Sequence, residues 1–253
     1  PRPMLTRTAL VTGGGRGIGR AIAEALAGTG ARVIVTGRRQ AELDGVARKV
    51  GGVALVADLS SRAGVAALVT ALEEQPRIDV LVNNAGIAES APYDRTTDDS
   101  WDRQMELNVT VPFLLCRALV PAMVQAGWGR VINVASNAGR MGYAYTSAYC
   151  ASKHALVGLT RALASELGRT GVTVNAVCPG WVKTDMAAEA ASRIAQKTKR
   201  SPEEAEKALA SMSPQNRLMD AAEVAHLVVA LAGDAARGIH GQAIPLDGGQ
   251  VMA

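Results

Sequence analysis

A tyrosine and a lysine stand four residues apart near the start of an Ala- and Leu-rich stretch, within the pentapeptide Tyr149-Cys150-Ala151-Ser152-Lys153. If the stretch is helical, residues i and i+4 share one face, so the phenol and the ammonium occupy one small volume. A neighbouring cation lowers the pKa of a phenol from its ordinary value near ~10, an adjustment that a general acid or base needs. Such pairs also occur on ordinary helix surfaces, so the rest of the chain has to decide.

A second candidate site is a glycine-rich turn between the first predicted strand and the first predicted helix. Its sequence is Thr12-Gly13-Gly14-Gly15-Arg16-Gly17-Ile18-Gly19. Glycines permit a tight turn and a close approach of the backbone to a ligand, and the N-terminus of the following helix offers N–H groups to a pyrophosphate. The position between strand and helix favours a dinucleotide site over a turn that is merely tight.

The second predicted strand ends in two arginines, in the run Gly37-Arg38-Arg39. Folds that bind NAD usually place a carboxylate here, on the adenosine ribose. Arginines at a helix start oppose the helix dipole, and a 2′-phosphate would give them a charge-assisted partner. Arg16 of the glycine turn can approach the same phosphate. The run therefore predicts NADP(H) rather than NAD(H), with solvated surface arginines as the alternative.

Short apolar runs alternate with helical patterns along the 253 residues. The predicted strands are Thr8–Thr12, Arg32–Thr36, Val53–Val56, Asp79–Val82, Arg130–Ala135, Val172–Val177 and Gln242–Leu246. The helical patterns lie near 18–29, 39–50, 61–75, 98–126, 148–169 and 220–232. This alternation predicts the α/β class: a single Rossmann-like, doubly wound domain over 1–253, with a seven-stranded parallel sheet and helices on both faces.

The segment 186–219 interrupts this alternation with two helical pieces. Ser201-Pro202-Glu203-Glu204 is a strong helix start, with Ser as the cap and Glu three residues later. The segment follows the sixth strand, at the edge where open α/β sheets bind ligands. We interpret it as a helical lid insertion over the substrate; a helical pair without a binding role is the alternative.

Composition argues against several functions. Aromatic residues make up 3% of the chain and the net charge of +4 is scattered, so nucleic acid is not an expected partner. The three cysteines and three histidines have neither disulfide-framework nor metal-ligand spacing, so no metal site is expected. No apolar run approaches ~20 residues and no signal peptide is evident, so we expect no membrane span and a cytoplasmic location.

Together these motifs resemble those of the short-chain dehydrogenases/reductases, over the whole chain and towards the 3-oxoacyl reductases and other ketoreductases. The glycine turn matches the family's cofactor loop. Asp58-Leu59 matches the pair after the third strand, and Asn83-Asn84-Ala85-Gly86 matches the motif that ends the fourth. Further matches are the catalytic tetrad Asn108, Ser136, Tyr149 and Lys153, and the nicotinamide loop Pro179-Gly180 with Val182 and Thr184.

The resemblance implies an NADP(H)-dependent ketoreductase in which Tyr149 is the general acid. It implies that Ser136 holds the substrate oxygen, that Lys153 lowers the Tyr149 pKa and binds the nicotinamide ribose, and that Asn108 anchors a water. The implied cofactor residues are Thr12, Gly13, Gly15, Arg16, Gly17, Ile18, Gly19, Gly37, Arg38, Arg39, Asp58, Leu59, Asn84, Ala85, Gly86, Tyr149, Lys153, Pro179, Gly180, Val182 and Thr184. A homotetramer is also implied, through the long helices.

Plainer roles stay open for single positions in the tetrad and cofactor set. Asn108 could kink its helix without chemistry, since Asn is a poor helix former. Ser136 could cap a turn, and Asp58 could cap the helix that starts near Ser60. We expect Asp98 and Asp99 to cap and charge the start of the long helix.

The substrate pocket is expected to be an adaptable wall of aromatic and methionine side chains, suited to a 3-oxoacyl thioester, a β-keto ester or a related carbonyl. Its predicted members are Asn137, Met141, Tyr143, Tyr145, Trp181 and Met186, with Arg140 and Lys183 as possible holders of an anionic tail. Family members that act on a carrier protein tend to show basic residues where this chain has Gly127 and Thr170, so a carrier-bound substrate is doubtful. A secondary-alcohol or 3-hydroxyacid dehydrogenase working oxidatively, and a non-catalytic dinucleotide sensor, are the alternative functions.

Overall fold

The computed structural model describes residues 7–199 and 201–252. Its seven strands form one all-parallel sheet in the order β3-β2-β1-β4-β5-β6-β7. They are β1 Thr8–Thr12, β2 Arg32–Gly37, β3 Val53–Val56, β4 Val80–Asn83, β5 Gly129–Val134, β6 Val172–Pro179 and β7 Ala243–Leu246. All seven predicted strands are present, and the doubly wound α/β fold is confirmed.

Nine α-helices are found in the part of the chain that the structure describes. They are α1 Gly17–Gly28, α2 Gln40–Val50, α3 Arg62–Glu73, α4 Asp98–Met105, α5 Val111–Gln125, α6 Ser147–Leu167, α7 Asp185–Thr198, α8 Pro202–Ala210 and α9 Ala221–Ala232. Side chains of a strand alternate between the two faces of a sheet. In β1, Ala9 and Val11 pack with α1, α2 and α9, whereas Leu10 packs with α3, α5 and α6. Helices therefore cover both faces, which explains the nearly continuous apolar runs of the strands.

The helical pattern over 98–126 is not one continuous α-helix. A π-helical turn, Glu106–Thr110, separates α4 from α5 and contains Asn108. Such turns inside helices occur frequently at functional sites. The cap of α4 is Thr97, whose hydroxyl accepts from the Ser100 N–H at 3.2 Å, so the expectation that Asp98 and Asp99 form the cap is wrong. Both carboxylates lie in the first turn, where their negative charge interacts favourably with the positive end of the helix dipole.

The helical stretch 98–125 is long and apolar enough to cross a membrane by length and composition alone, with a mean hydropathy of 1.7 in its most apolar window. The sequence analysis considered uninterrupted apolar runs and did not single out this stretch. The apolar residues of α5 have a different use, because Val111, Leu115 and Met123 are buried in the core beneath the sheet. Buried helices of globular proteins can have the same length and apolar composition as membrane-spanning helices, so the stretch is weak evidence for a membrane.

The two helices expected in segment 186–219 are α7 and α8, and both ends of this insertion lie at the carboxyl edge of the sheet. The Lys183 N–H donates to the Met219 carbonyl at 2.9 Å, and the Met219 N–H donates to the Trp181 carbonyl at 2.8 Å. The predicted start of α8 is confirmed, because Ser201 and Glu204 form a capping box. The insertion is thus fastened at its base by backbone hydrogen bonds.

Candidate active site

Side-chain hydrogen bonds join the ends of β1 and β4. The Thr12 hydroxyl oxygen accepts from the N–H groups of Asn84 and Ala85, both at 2.9 Å. In return, Asn84 Nδ2 donates to the Thr12 carbonyl at 2.8 Å. Two of the predicted cofactor motifs are therefore held together by each other's polar groups, with the glycine turn at their junction.

The glycine turn is shaped for a ligand that needs close contact with the backbone. Gly13 has a φ of 63°, and a methyl group at Gly19 would lie 2.2 Å from the Gly13 carbonyl oxygen. Glycine is therefore required at both positions. The residue before α1, Arg16, makes no capping hydrogen bond, and the first turn of α1 holds no acidic side chain. The N–H groups and the positive dipole end of α1 thus suit a pyrophosphate.

The three arginines expected at a 2′-phosphate differ in their partners. Arg16 Nη1 lies 3.0 Å from Asp185 Oδ2, and Arg39 Nε lies 2.8 Å from Glu42 Oε1. Both pairs are solvent-exposed. Arg38 makes no ion pair within the described residues, so it is the arginine whose guanidinium is least committed to the protein.

Asp58 lies exposed just beyond the carboxyl end of β3, next to the buried Leu59. Its carboxylate accepts from the Ser60 N–H at 3.0 Å, and this bond, more than the charge of Arg38, lowers its pKa. The cap of α3 is Ser61, which accepts from the Gly64 N–H at 3.1 Å. The alternative that Asp58 caps this helix is therefore wrong, and its role in binding the cofactor stays a prediction.

The four predicted catalytic residues lie together beyond the carboxyl ends of β4 and β5. They are Asn108, Ser136, Tyr149 and Lys153. Lys153 is buried, its Nζ donates to the Val134 carbonyl at 3.0 Å, and this Nζ lies 5.7 Å from the centre of the Tyr149 ring. A methyl group at Gly86 would lie 2.9 Å from Asn108 Oδ1 and 3.5 Å from Lys153 Nζ. The loop after β4 therefore passes directly over the tetrad.

The protonation of Tyr149 and Lys153 is governed by burial. Desolvation raises the pKa of Tyr149, and a hydrogen bond with Ser136 offsets only part of that effect. Desolvation also lowers the pKa of Lys153 to about 8. In the protein without cofactor, the pKa of Tyr149 is therefore raised and not lowered as the spacing predicted, because removal of the phenol from water dominates. At neutral pH Tyr149 carries its proton and can donate it.

Asn108 joins the loop after β4 to helix α6. Its Oδ1 accepts from the Ile87 N–H at 3.0 Å, and its Nδ2 donates to the Ile87 carbonyl at 2.9 Å and to Ser152 Oγ at 3.0 Å. Ser152 in turn donates to the Tyr149 carbonyl at 2.8 Å. Asn108 is thus more than a kink. The sequence analysis missed Ser152, whose only signal was its place inside the pentapeptide.

Ser136 caps the short 3-10 turn Asn137–Gly139, because its hydroxyl oxygen accepts from the Ala138 N–H at 3.1 Å. This alternative role is confirmed, and it leaves the Ser136 proton free to donate. Among the predicted substrate residues, Asn137 is buried beside Ser136 and Met141 is half-buried. The Tyr143 hydroxyl is buried near the Asn137 carboxamide without an aligned hydrogen bond, and desolvation raises its pKa to about 12.

The other predicted substrate residues do not form one pocket wall with Asn137, Met141 and Tyr143. Tyr145 is 67% exposed, with a φ of 66°, and Met186 is 43% exposed. Trp181 packs among the apolar residues inside the insertion. The two basic residues considered for an anionic tail are engaged elsewhere: Arg140 donates to the Ala243 carbonyl at 2.7 Å, and Lys183 pairs with Asp220 at 3.1 Å.

Known proteins resemble this chain in sequence and in fold. A family model described as short chain dehydrogenase matches residues 7–195. The 3-oxoacyl-acyl-carrier-protein reductase of Pseudomonas aeruginosa is 39% identical, over 98% of each chain. The D-beta-hydroxybutyrate dehydrogenase of Cupriavidus necator is 38% identical, over 97% of this chain and 98% of its own. A solved structure of a variant actinorhodin polyketide ketoreductase with NADPH superposes with a TM-score of 0.93 at 37% identity, covering 98% of each chain. The chain therefore belongs to the short-chain dehydrogenase family.

Proposed function

We propose that this protein is an NADPH-dependent oxidoreductase that reduces a ketone to a secondary alcohol. The observation that carries the proposal is the placement of Tyr149 and the buried Lys153 beside Ser136, at the sheet edge that also holds the glycine turn. The relatives named as a 3-oxoacyl reductase and as a ketoreductase with NADPH support the same reaction and cofactor.

In the proposed reaction, the substrate oxygen lies between the hydroxyl groups of Ser136 and Tyr149. Tyr149 donates its proton to that oxygen, and Ser136 donates a hydrogen bond that holds it in place. The chemistry that NADPH contributes when bound is hydride transfer. Lys153, whose pKa is lowered to about 8, can return a proton to the phenolate near neutral pH. Asn108 holds the loop over Lys153 and, as implied by the family, anchors the water that connects Lys153 to solvent.

The chain's own residues fit NADPH. The N-terminus of α1 would hold the pyrophosphate, and Arg38 would hold the 2′-phosphate, with Arg16 and Arg39 on either side. Exposed ion pairs contribute only ~0–1 kcal/mol, so a phosphate can displace Asp185 and Glu42 from these arginines. Other proposed cofactor residues are Asp58, Leu59, Ala85, Gly86, Pro179, Gly180, Val182 and Thr184. A methyl group at Gly17 would lie 3.4 Å from Thr184 Cγ2, which supports the place of Thr184 beside the glycine turn.

The substrate class that we favour is a 3-oxoacyl thioester or a β-keto ester, with α7 and α8 as the lid. The names of the reductase relatives support this class. The exposed apolar side chains of Tyr145, Met186 and Met212 support a lid that closes on a carbon skeleton.

A 3-hydroxyacid dehydrogenase working oxidatively is the second candidate, because the D-beta-hydroxybutyrate dehydrogenase is almost as similar. Oxidation needs Tyr149 as the base, in its phenolate form. We rank reduction first, because the other two named relatives are a 3-oxoacyl reductase and a ketoreductase with NADPH.

The test follows the absorbance of NADPH and, separately, of NADH with purified protein. The panel holds an acetoacetyl thioester, a β-keto ester, an aryl ketone and, for the reverse direction, 3-hydroxybutyrate. We expect reduction with NADPH, little with NADH, and a loss of roughly 10²–10⁴-fold in Tyr149→Phe, the range of general acid catalysis. Tyr93→Phe is the matched control, since Tyr93 is 85% exposed. Tight NADPH binding without any turnover would favour the dinucleotide sensor.

We further propose a cytoplasmic homotetramer. The exposed Trp101 on α4 and Phe113 on α5 support an apolar contact between copies of the long helices, and so the assembly. The cytoplasmic location is supported by the three thiols Cys116, Cys150 and Cys178, which are free, as in a reducing compartment. Light scattering after size exclusion gives the subunit number, and a monomer would contradict the assembly.

A further inference from the structure

One ion pair joins the glycine turn to the first helix of the insertion. Arg16 Nη1 lies 3.0 Å from Asp185 Oδ2, although 169 residues separate the two in the chain. Arg16 is the residue before α1, and Asp185 is the first residue of α7. The two helix starts lie close together, because a methyl group at Gly17 would lie 3.4 Å from Thr184 Cγ2. The start of the proposed lid is therefore beside the turn that is proposed to bind the cofactor.

Helix α7 has few other ties to the domain. Its buried alanines Ala190 and Ala191 pack in one cluster with α8, inside the insertion. The backbone hydrogen bond from Lys183 to Met219 fastens the base of the insertion before α7 begins and after α8 ends. In the part of the chain that the structure describes, only the Asp185 ion pair links a side chain of α7 to a residue outside the insertion. This pair can therefore hold the start of α7 against the glycine turn.

Both members of the pair are accessible to a ligand. The side chain of Arg16 is 49% exposed and that of Asp185 is 67% exposed. The first turn of α1 holds no acidic residue, so Asp185 supplies negative charge beside that helix start. A phosphate monoester carries about two negative charges near neutral pH and can bind a guanidinium through forked hydrogen bonds. A phosphate at this place and Asp185 would therefore compete for one guanidinium.

We propose that Asp185 competes with the 2′-phosphate of NADPH for Arg16, so that the binding of NADPH releases the start of α7 from the glycine turn. The inference rests on the proposed function, because it takes Arg16 as a contact of the 2′-phosphate and α7 as part of the lid. Asp185 thus weakens the binding of NADPH but not that of NADH, which makes it a specificity-determining residue for the cofactor. The coupling is reciprocal: NADPH loosens α7 by the same factor by which the pair weakens NADPH binding.

The first test measures the dissociation constants of NADPH and NADH by isothermal titration calorimetry. Exposed ion pairs are weak, so we expect Asp185→Asn to tighten the binding of NADPH roughly twofold to fivefold and to leave that of NADH unchanged. Glu189→Gln is the matched control, since Glu189 is exposed one turn further along α7 and carries the same charge. Unchanged NADPH binding in Asp185→Asn, or an equal gain for NADH, would overturn the proposal.

A double-mutant cycle shows whether Asp185 acts through Arg16. In an Arg16→Gln protein, Asp185→Asn should change the dissociation constant of NADPH no more than Glu189→Gln does. The same gain from Asp185→Asn with and without Arg16 would mean that the carboxylate merely repels the cofactor, and competition for the guanidinium would be wrong.

The second test follows hydrogen exchange of the α7 backbone amides by mass spectrometry. At saturating cofactor, exchange in the wild-type protein should be roughly twofold to fivefold faster with NADPH than with NADH, because the two cofactors differ only in the 2′-phosphate. The difference should disappear in Asp185→Asn and persist in Glu189→Gln. Equal exchange in the two wild-type complexes would overturn the coupling.

Failure of the proposed function has a separate signature. If the wild-type protein binds NADPH but reduces no panel compound, the ketoreductase proposal fails, and both tests above still decide the role of Asp185. If it does not bind NADPH, the cofactor proposal and the competition fail together. The holding role of the pair is then decided in the protein without cofactor, where α7 should exchange faster in Arg16→Gln than in the wild type. Unchanged exchange in Arg16→Gln would overturn that role on its own.

Discussion

Basic side chains are buried at both edges of the sheet, and their polar partners differ between the two edges. At the carboxyl edge, Lys153 is 4% exposed and donates to a backbone carbonyl, with no ion pair to any described residue. At the amino edge, Arg7 and Arg130 are 4% and 2% exposed and both stack on the ring of Trp128. They share the carboxylate of Asp234, which also accepts from Trp128 Nε1 at 2.8 Å.

The difference shows what each edge is for. A guanidinium stays charged when buried, so it needs a carboxylate and an aromatic face to offset the cost of desolvation. An ammonium without a carboxylate responds to burial by a lowered pKa, and for Lys153 this brings the proton within reach of neutral pH. We therefore expect the paired charge at the amino edge to stabilise the fold, and the ammonium at the carboxyl edge to exchange its proton.

The largest effect that separates the edges should come from Lys153→Met. We expect turnover to fall at least ~100-fold, since proton transfer through Tyr149 loses its donor. The melting temperature should stay level or rise, because a buried charge without a carboxylate is removed. Turnover assays and thermal unfolding measure the two quantities, with Lys183→Met as the exposed control. A large drop in melting temperature would show that Lys153 supports the fold instead.

Asp234→Ala should lower stability and leave turnover unchanged, the reverse of Lys153→Met. It leaves Arg7 and Arg130 without their shared carboxylate, and we expect the free energy of unfolding to fall by about 2–3 kcal/mol, below the usual cost of breaking a buried pair because Asp234 is 42% exposed. Activity per folded molecule should not change. Urea unfolding and turnover at low temperature test both statements.

The pH dependence of Asp234 sharpens this prediction. Burial raises the pKa of Asp234, but the hydrogen bond from Trp128 and the charges of Arg7 and Arg130 outweigh it and leave the pKa below its ordinary value. A carboxylate with a lowered pKa stabilises the fold above its unfolded pKa, near ~4, and loses that contribution as pH falls further. Asp234→Asn should therefore flatten the loss of stability below that pH. An unchanged acid transition would contradict this assignment.

The two edges also show which features of the structure can be predicted from the sequence. The strands, the glycine turn and the Tyr149–Lys153 pair were predictable because each is a local pattern: an apolar run, a glycine spacing, an i,i+4 pair. Asn108 and Ser136 were identified only through the family resemblance. The contact of Asn137 with Gln250 spans 113 residues, and that of Trp128 with Asp234 spans 106. No local pattern encodes such a pair. The direction of the Tyr149 pKa was likewise missed, because a sequence shows the neighbouring charge but not the depth of burial.

Replacing an exposed arginine should have a smaller effect, and that effect should be on the binding of NADPH. Among the three arginines proposed for the 2′-phosphate, Arg38 is the one that makes no ion pair within the described residues. We expect Arg38→Ala to raise the KM for NADPH roughly tenfold, with the KM for NADH nearly unchanged. Arg32→Ala is the control, because Arg32 is exposed at the opposite edge and donates to Gln75 at 3.1 Å. An equal rise for both cofactors would mean that Arg38 does not contact the 2′-phosphate.

The pH dependence of the free energy of unfolding provides one more test, and it concerns Lys153. The folded protein releases this proton near pH 8, whereas the unfolded chain holds it until about 10.5. Between these values the unfolded state binds more protons, so the free energy of unfolding gains a contribution that rises with pH; below pH 8 both states are protonated and the contribution is constant. Urea midpoints measured from pH 7 to pH 10 should rise more for the wild type than for Lys153→Met, with Lys183→Met following the wild type. Parallel curves would mean that Lys153 keeps its proton as firmly as the buried arginines keep theirs, and the contrast between the two edges would fail.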